Sequence, residues 1–443
     1  MRSAYLYLAI VLTGALLARA TPCRADNATV AFTCTPATII VQLHPAAGAR
    51  IDPADWDRTS QTVLDLLHLG PGFQLVLPPI QQQSGDIDPT HWLLLETPPD
   101  SDLAACLATL RTSPWITSAE LDSGTSPHPP SPVPKPAPAG RTPNDPAFRL
   151  QQHHRQIDTP GAWQITTGSR TIRVAILDSG CSADQPEFSG RMLPGFNFET
   201  NSHDTGDTSG HGTAIAGIIG ANANNKVLGA GIDWHCRLVP IRVINGGVAA
   251  LAQGIEWATM QGCRVINVSG RVRVPERSTV LEATIAAALQ AGCVVVASSG
   301  NSRAPGITYP AHADGVISVG ALDNSGMRWQ DHDRGEASTC DETVDIVAPG
   351  EKIRSVSKSG LLARGSGTSP ASAIVAGVCA LMLAANPELS PAAVTRILRA
   401  SADRIGPPDA YTDGHSACYG YGRVNARAAV AMAAAQRGSF PTR

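Results

Sequence analysis

The stretch Thr171-Ile-Arg-Val-Ala-Ile-Leu-Asp178 is a largely apolar run closed by an aspartate, and five later stretches share its apolar character. They are RLVPIRVI from Arg237, RVINVS from Arg264, VVVASS from Val294, GVISVGAL from Gly315 and TVDIVAP from Thr343. Short stretches that are apolar throughout are typical of strands buried on both faces of a parallel sheet.

Helical patterns alternate with these stretches. They read HGTAIAGIIGA, AALAQGIEWATMQG, TVLEATIAAALQAG, SPASAIVAGVCALMLAA and SPAAVTRILRASA. The alternation predicts an α/β fold with a doubly wound parallel sheet. In such sheets ligands bind at the carboxyl ends of the strands, so the residues that follow each strand are the candidates for chemistry.

Composition excludes several classes of protein. The chain has 443 residues, of which 43% are apolar and 16% charged, so it is not disordered and can bury a large core. The net charge of −3, from 34 basic and 37 acidic residues, favours neither a nucleic acid nor an anionic membrane as partner. The length allows two or three domains.

The first twenty residues resemble a targeting signal. Arg2 supplies a positive charge, residues 5–17 form a short apolar run, and Ala18-Arg19-Ala20 fits a cleavage site. We interpret residues 1–20 as a cleaved secretion signal and the protein as exported, to the extracellular space or the periplasm. The alternative is an N-terminal membrane anchor.

A proline-rich segment, residues 126–143, divides the remaining chain, and it favours an extended, semi-rigid spacer. Before it, residues 21–125 carry the strand signals TIIVQL, FQLVLP, HWLLLE and WITSAEL and the helical patterns SQTVLDLLHLG and DSDLAACLATLRT. Their order predicts a small β-α-β-β-α-β, ferredoxin-like α+β domain. Residues 144–437 form the predicted α/β domain.

Ten cysteines in an exported chain raise the question of disulfides. Cys34 with Cys106, and one pair among Cys181, Cys340 and Cys418, are the better candidates. Four further cysteines lie inside apolar runs, where a buried free thiol is as reasonable as a bridge: Cys236, Cys263, Cys293 and Cys379.

Three polar residues stand where chemistry is expected. Asp178 closes the first strand, His211 opens a helix in Gly-His-Gly-Thr, and Ser369 precedes the longest apolar helix. An acid, a base and a hydroxyl of this kind can form a nucleophile triad. Each residue alone is better explained as a turn former or a helix cap. Asn301 follows the strand VVVASS and adds an amide that could donate to a developing oxyanion.

The order Asp, His, Asn, Ser, with spacings of 33, 90 and 68 residues, resembles the subtilisin-like serine peptidases. The matching motifs are VAILDSG, DTSGHGT, VVVASSGN and GSGTSPA, supported by GIEWA, YPA and VAPG, and they cover roughly residues 144–437. The resemblance implies that Ser369 is the nucleophile, that His211 is the general base and acid, and that Asp178 orients His211. It implies an oxyanion hole formed by Asn301 and the backbone N–H of Ser369.

The resemblance also predicts how the protein is produced and what it binds. It implies a secreted serine endopeptidase made as a zymogen, whose domain over residues 21–125 is a propeptide that inhibits the enzyme. The expected partners are polypeptide substrates and the propeptide, and the expected state is a monomer. Residues that contact substrate would be Ser269, Gly270, Ser299 and Gly300. The alternative is a catalytically silent relative that serves as a peptide-binding module. The chain order disfavours an α/β-hydrolase, which runs Ser, Asp, His and needs a G-x-S-x-G motif.

No cofactor is required by this chemistry and no zinc motif is present, but residues 221–225 match a family calcium loop in position. Asparagine and carbonyl oxygens suit a hard cation, whereas Lys226 and the absence of a carboxylate argue against one. Structural calcium therefore stays open. We interpret His153-His154 as a solvated pair rather than a metal site.

The sequence also departs from the family pattern. Pro370 and Ala373-Ile374 replace the residues usual after the nucleophile, and the substrate-pairing Ser-Leu-Gly motif reads Ser269-Gly270-Arg271. The opposing edge, residues 243–254, is short and contains a flexible Gly246-Gly247 pair. We therefore expect a narrower specificity than that of a degradative subtilisin, unless a neighbouring loop replaces the edge.

Overall fold

The structure is a computed structural model that describes residues 38–43, 64–65, 67, 69, 74–77, 92–97, 102–121, 125–126, 141–273, 277–302 and 308–437. The predicted secretion signal and most of the proline-rich segment lie outside these residues. The same holds for most of the first helix predicted for the N-terminal region.

A seven-stranded sheet forms the centre of the α/β domain, and every neighbouring pair of its strands is parallel. Six of the strands are the six apolar stretches of the sequence, and the seventh is a short edge strand. In chain order they are β6 (Arg173–Asp178), β7 (Phe196–Asn197), β8 (Arg237–Arg242), β9 (Val265–Val268), β11 (Val294–Ser298), β13 (Ile317–Leu322) and β16 (Val344–Pro349). Their spatial order is β16-β13-β11-β9-β6-β8-β7, so the predicted α/β class with a parallel sheet is confirmed.

Helices cover both faces of this sheet. On one face lie α4 (His211–Gly220), α7 (Thr368–Ala385), α8 (Pro391–Ser401) and α9 (Ala426–Ala435). On the other lie α5 (Gly247–Met260) and α6 (Thr279–Gln290). Two short helices, α2 (His153–Gln156) and α3 (Thr159–Ala162), precede β6. The two apolar cores lie on opposite sides of the sheet because successive side chains of each strand point to opposite faces.

Helix α7 is the central helix of the larger core. By length and hydropathy it could cross a membrane, but 89% of it is buried inside the fold. A helix that is apolar on all sides is expected in the core of a large protein, because every face then meets other apolar groups. Its N-terminus lies in the site described below.

The N-terminal region forms an antiparallel sheet of four strands in the order β2-β3-β1-β4. The strands are β1 (Thr38–Leu43), β2 (Gln74–Leu77), β3 (Trp92–Glu96) and β4 (Ile116–Leu121), and helix α1 (Leu103–Arg111) precedes β4. These elements coincide with the strand and helix signals of the sequence. Asp102 caps α1 by accepting a 3.1 Å hydrogen bond from the backbone N–H of Ala105.

Short strands complete the architecture. Strand β10 (Arg271–Arg273) pairs with β5 (Thr125–Ser126) on one side and with β12 (Thr308–Tyr309) on the other. Two hairpins follow, formed by β14 (Gln330–Asp331) with β15 (Glu336–Ala337), and by β17 (Ile353–Val356) with β18 (Leu362–Gly365).

One disulfide joins Cys340 and Cys418, which is one of the pairs that the sequence left open. Cys106 carries a free thiol, and its suggested partner Cys34 lies outside the described residues. The four cysteines of the apolar runs, together with Cys181, are buried free thiols.

Removal of this bridge should lower the free energy of unfolding. Cys340 and Cys418 are 78 residues apart, and closing a loop of that length in the unfolded chain stabilises a fold by about 4.5 kcal/mol. We expect a loss of this size for the double variant Cys340→Ser/Cys418→Ser in denaturant unfolding. The control is Cys106→Ser, which should unfold like the wild type. Equal midpoints for the double variant and the wild type would contradict the prediction.

Candidate active site

Asp178 and His211 form a hydrogen-bonded pair at the carboxyl end of β6. His211 Nδ1 lies 2.7 Å from one carboxylate oxygen of Asp178 and 2.9 Å from the other. Asp178 is fully buried, and its carboxylate also accepts a 2.7 Å bond from the backbone N–H of Ser179. The opposite ring nitrogen, Nε2, is buried without a hydrogen-bond partner. The hydrogen bonds to Asp178 therefore fix the Nδ1 side of the imidazole and leave Nε2 available to accept a proton.

A second carboxylate, that of Asp207, holds the start of the helix that carries His211. It accepts hydrogen bonds from the backbone N–H groups of Ser209, Gly210 and Thr213 and from the hydroxyls of Ser179 and Thr213. These bonds satisfy N–H groups at the N-terminus of α4 that have no partner within the helix.

The pKa of His211 reflects both carboxylates. Burial lowers the pKa of this imidazole, but the charge and hydrogen bonding of Asp178, with a further contribution from the charge of Asp207, outweigh burial. The net effect raises the pKa of His211 above its ordinary value.

Ser369 is the second residue of α7 and is completely buried. Its hydroxyl donates a 2.6 Å hydrogen bond to the backbone carbonyl of Ser269, at the end of β9. The hydroxyl of Ser269 in turn donates to the carbonyl of Ser369 at 3.1 Å and receives a bond from Asn267. Pro370 is the third residue of α7, where its missing N–H is one that the helix would leave unpaired.

Asn301 follows β11 and is locked in one orientation. Its side-chain carbonyl accepts bonds from the backbone N–H of Thr368 at 2.9 Å and from the Thr368 hydroxyl at 2.8 Å. Its Nδ2 group is buried and has no hydrogen-bond partner. At Gly367, which has φ +117°, a Cβ atom would lie only 2.4 Å from Asn301 Nδ2, so only glycine fits there. The amide donor of Asn301 therefore lies beside the start of α7 and is available to a ligand.

The residues expected to contact substrate lie around these groups. Ser299 and Gly300 follow β11 directly, and Gly300 has φ +103°. A Cβ atom on Gly300 would lie 3.1 Å from Nη1 of Arg271, so the Arg271 guanidinium extends over the Gly300 backbone. Ser269 and Gly270 lead into β10, the strand that pairs with β5.

The edge of the predicted substrate cleft that lies opposite β10, residues 243–254, differs from the expectation in one respect. Gly246-Gly247 is not a flexible strand edge, because α5 begins at Gly247. A Cβ atom on Gly246 would lie 2.3 Å from Cβ of Ala250, so the glycine allows close packing against the first turn of the helix. The chain thus passes from β8 into α5 with only a short turn between them.

The loop over residues 221–225 meets two carboxylates that its own sequence lacks. Asp145 accepts bonds from the backbone N–H groups of Asn224, Asn225 and Lys226 at 2.8–3.0 Å. Glu187 accepts a 3.0 Å bond from the Asn225 side chain. Burial and the charge of Asp145 raise the pKa of Glu187 to about 7, although hydrogen bonds from Asn225 and from the backbone of Gly229 oppose this.

The His153-His154 pair was interpreted wrongly from the sequence. Both side chains are buried, at 1% and 0% exposure, beside Phe148 and Trp163. His154 Nε2 lies 3.0 Å from the carbonyl of Ala230. Burial lowers the pKa of both rings, so they pack as neutral aromatic groups of the core.

Sequence reasoning missed the supporting groups of the site. Asp207 and Thr368 lie inside the quoted motifs DTSGHGT and GSGTSPA, but only His211 and Ser369 were assigned roles. An acidic residue shortly before a helix start is the usual signal of an N-cap, and it could have identified Asp207. Nothing in the local sequence connects Thr368 with Asn301, because 67 residues separate them.

Known proteins resemble this chain over the α/β domain. Residues 169–422 match the model of the subtilase family. Thermitase from Thermoactinomyces vulgaris is 34% identical over 294 residues, which cover 65% of this chain and 99% of thermitase. Subtilisin Savinase from Lederbergia lenta is 34% identical over 278 residues, which cover 62% of this chain and 96% of that protein.

Solved structures agree on the fold. Fervidolysin from Fervidobacterium pennivorans, a keratinolytic enzyme related to subtilisin, matches 90% of this chain and 61% of its own with a TM-score of 0.69 at 22% identity. A protease from Pseudoalteromonas arctica matches 66% of this chain and 100% of its own with a TM-score of 0.58 at 28% identity. Since the family model covers more than half of the chain, this protein belongs to the subtilase family and is a subtilisin-like serine endopeptidase.

Proposed function

We propose that Ser369, His211 and Asp178 are the catalytic triad of this endopeptidase and that Asn301 with the backbone N–H of Ser369 forms its oxyanion hole. The observation that carries the proposal is the way His211 and Asn301 are held. Each side chain is hydrogen-bonded at one end, His211 to Asp178 and Asn301 to Thr368, while His211 Nε2 and Asn301 Nδ2 have no partner among the described residues. A buried polar group without a partner calls for an explanation, and a role in catalysis is one.

The reaction follows from these positions. Substrate entry replaces the bond between the Ser369 hydroxyl and the Ser269 carbonyl with one to His211 Nε2. His211 takes the proton as the oxygen attacks the substrate carbonyl carbon, and Asp178 stabilises the imidazolium that results. The oxyanion receives hydrogen bonds from Asn301 and from the start of α7, where the helix dipole also favours negative charge. His211 then returns its proton to the leaving nitrogen, and water releases the acyl group by the same route.

We also propose that the protein is a secreted zymogen. Its parts would be the secretion signal (1–20), the ferredoxin-like propeptide (21–125), the proline-rich linker (126–143) and the peptidase domain (144–437). Support comes from the antiparallel pairing of Ser126 with Arg271 and of Thr125 with Val272. This places the chain that follows the N-terminal sheet on the edge beside Ser269-Gly270, where an extended peptide would add a strand. The propeptide would thereby block the cleft until it is cleaved.

The same edge supports a narrow specificity. Arg271 projects over Gly300, so a substrate side chain in this part of the cleft meets a guanidinium rather than open space. A guanidinium binds carboxylates in preference to cations or large apolar groups. The opposing edge is reduced to a turn before α5, and substrate recognition therefore depends more on side chains than on backbone pairing.

We further propose a structural calcium ion at the loop over residues 221–225. In the described part of the chain no cluster of three or more acidic, histidine or cysteine side chains could hold a metal. Two carboxylates, Asp145 and Glu187, nevertheless meet this loop, and amide and carbonyl oxygens would complete a set that suits a hard cation. Burial raises the pKa of Glu187, and a bound cation would favour its charged form and lower that pKa. The ion would stabilise the fold and take no part in the reaction.

Substitution of the triad and of the oxyanion donor should separate an active enzyme from a silent relative. Ser369→Ala should abolish labelling by a fluorophosphonate probe and peptide hydrolysis. Asn301→Ala should keep probe labelling but lower kcat about 10²–10³-fold, because one oxyanion donor is lost. Circular dichroism checks that both variants fold. Hydrolysis by Ser369→Ala at the wild-type rate would refute the assignment, and an unlabelled wild type would support the peptide-binding alternative.

Processing should depend on the nucleophile. We expect the purified wild-type protein to be cut between residues 121 and 144, because Thr125 and Ser126 pair with β10 beside the proposed nucleophile and the proline-rich sequence that follows is typical of sites of proteolysis. The purified Ser369→Ala variant should retain the N-terminal domain. Mass spectrometry of the N-termini measures this directly. The same cleavage in both proteins would show that another protease removes the propeptide.

Calcium should stabilise the fold in a way that depends on Glu187. The pKa of Glu187 is raised to about 7, so the stability due to its protonated form is complete below pH 4.5 and is lost as the pH rises through 7. In chelator at pH 8, the Glu187→Gln variant should therefore melt above the wild type. Added calcium should raise the melting temperature of the wild type and leave that of the variant unchanged. If calcium shifts neither protein, there is no site at this loop.

A further inference from the structure

The imidazole rings of His153 and His154 lie side by side in the interior of the α/β domain, and the proposed reaction uses neither of them. Their centroids are 4.2 Å apart, and the ring of His154 also packs against Phe148 and Trp163, each at 5.1 Å. The two residues are 1% and 0% exposed. Two titratable groups are therefore enclosed in an aromatic cluster that water does not reach.

The hydrogen bonds around the pair suit neutral rings only. Nε2 of His154 donates a 3.0 Å bond to the backbone carbonyl of Ala230. The other three ring nitrogens, both of His153 and Nδ1 of His154, have no partner among the described residues. An imidazolium carries an N–H on each nitrogen, so protonation of either ring would bury a positive charge and add a donor without supplying an acceptor.

The segments that surround the pair, residues 148–163, residues 228–236 and β17, offer it no counter-ion. Asp158 accepts a 3.1 Å bond from the start of α3 and lies 3.8 Å from Arg427. Asp233 accepts bonds from two backbone N–H groups of its own loop. The other titratable side chains of these segments are not anions: Arg149, Arg155, His235 and Arg354. No carboxylate of the described chain contributes to the pKa of either ring.

Acid therefore weakens the fold through this pair. Burial lowers the pKa of His154 to about 3, although the bond to Ala230 raises it, and burial with the charge of His154 lowers the pKa of His153 well below 6.5. Below pH 6.5 both rings take up protons in the unfolded chain but not in the folded one. The stability is complete above pH 6.5, and the folding equilibrium constant then falls about tenfold for each ring and each pH unit.

The pair belongs to the first segment of the α/β domain, residues 147–157, which is bonded to two other parts of the fold. The N–H of Ala147 donates to the carbonyl of Leu228 at 2.6 Å. Gln151 bonds to both backbone groups of Ala230, at 2.8 and 3.0 Å, and donates to the carbonyl of Arg354 at 3.3 Å. These bonds and the buried rings hold the segment in place.

The same contacts connect the segment with the helix that carries His211. Arg354 belongs to β17, and the next residue of that strand, Ser355, donates a 2.6 Å hydrogen bond to the carbonyl of Ala214. Ala214 lies in the first turn of α4, which begins at His211. A Cβ atom on Gly217, one turn further along α4, would lie 2.5 Å from the Ser355 hydroxyl, so strand and helix are in close contact. Departure of residues 147–157 would leave β17 without its neighbour, and α4 would no longer be fixed from this side.

We propose that His153 and His154 form an acid-sensitive switch that releases residues 147–157 from the α/β domain and inactivates the enzyme. At neutral pH the uncharged rings pack into the aromatic cluster. In mild acid the protonated rings are stable only in water, so the segment leaves. The switch acts on the fold and does not depend on which residues are catalytic. It also differs from protonation of His211, which stops the reaction but is reversed when the pH is raised.

Melting temperatures at two pH values test the switch. The background is the full chain with Ser369→Ala, which prevents self-digestion. Between pH 6.5 and pH 4.5 the two native rings should weaken the folding equilibrium by about 10⁴-fold and thereby lower the melting temperature by roughly 5–10 °C. The double variant His153→Leu/His154→Gln should lose this part of the fall, because leucine does not titrate and glutamine keeps a donor for Ala230.

The matched control is His332→Gln, which removes an exposed histidine and should leave the fall in melting temperature unchanged. All these proteins share Asp233 and Glu187, whose pKa values are raised by burial to about 6 and about 7. Both carboxyls add stability as the pH falls, which is opposite to the effect of the histidines. Their contribution therefore cancels when the proteins are compared.

Hydrogen exchange locates the opening in the protein that keeps both histidines. After correction for the intrinsic rate, the amides of residues 147–157 should lose protection at least a hundredfold between pH 6.5 and pH 4.5, while those of β11 keep theirs. Activity provides a third measurement. Wild-type enzyme held at pH 4.5 and assayed at pH 8 should lose activity at least tenfold faster than the double variant.

Three results would each overturn the inference. They are an equal fall in melting temperature for the double variant and its background, unchanged protection of residues 147–157 at pH 4.5, and equal rates of inactivation. Should the double variant not fold, the exchange measurement alone still decides. A wild type without peptidase activity would refute the proposed function, whereas melting and exchange would still test the switch.

Discussion

The carboxylate of Asp178 is buried at the end of a central strand, and its oxygens must receive hydrogen bonds where water cannot reach them. His211 Nδ1 lies 2.7 and 2.9 Å from these oxygens and donates to them, and the N–H of Ser179 adds a second donor. Leaving such a charge without its partner would cost several kcal/mol. The position of α4, the orientation of the imidazole and the hydrogen-bond network of Asp207 all follow from this one requirement, because each holds His211 against the carboxylate.

The remaining polar groups of the site are oriented by bonds on the side away from the cleft. Asn301 is held through its carbonyl by Thr368, and Gly367 leaves room for its amide. Its donor group and His211 Nε2 have no hydrogen-bond partner among the described residues. The large apolar cores on both faces of the sheet hold the segments that carry these groups in place.

Much of this arrangement could be predicted from local sequence, because strands buried on both faces and helices between them leave a clear apolar pattern. The strand that ends at Asp178 and the helix that begins at His211 agree with that pattern, as do Asn301 shortly after β11 and Ser369 in the first turn of α7. Contacts between distant segments could not be predicted. Glu187 and Asp145 reach the loop over residues 221–225 from 38 and up to 81 residues away, and the buried state of His153-His154 depends on Trp163 and the surrounding core.

The buried cysteines impose a condition on how the chain matures. Five thiols lie in the interior of the α/β domain: Cys181, Cys236, Cys263, Cys293 and Cys379. Burial raises the pKa of each, so in the native protein they carry almost no thiolate and are inert. In the unfolded chain the same thiols are exposed and able to pair with Cys340 or Cys418. Folding therefore competes with oxidation. The interior must close before an oxidant arrives, and among the cysteines described in the α/β domain only the half-buried pair Cys340 and Cys418 should then be left to form a bridge. In an oxidising compartment, any factor that accelerates collapse of the domain would also determine which sulfur atoms become joined.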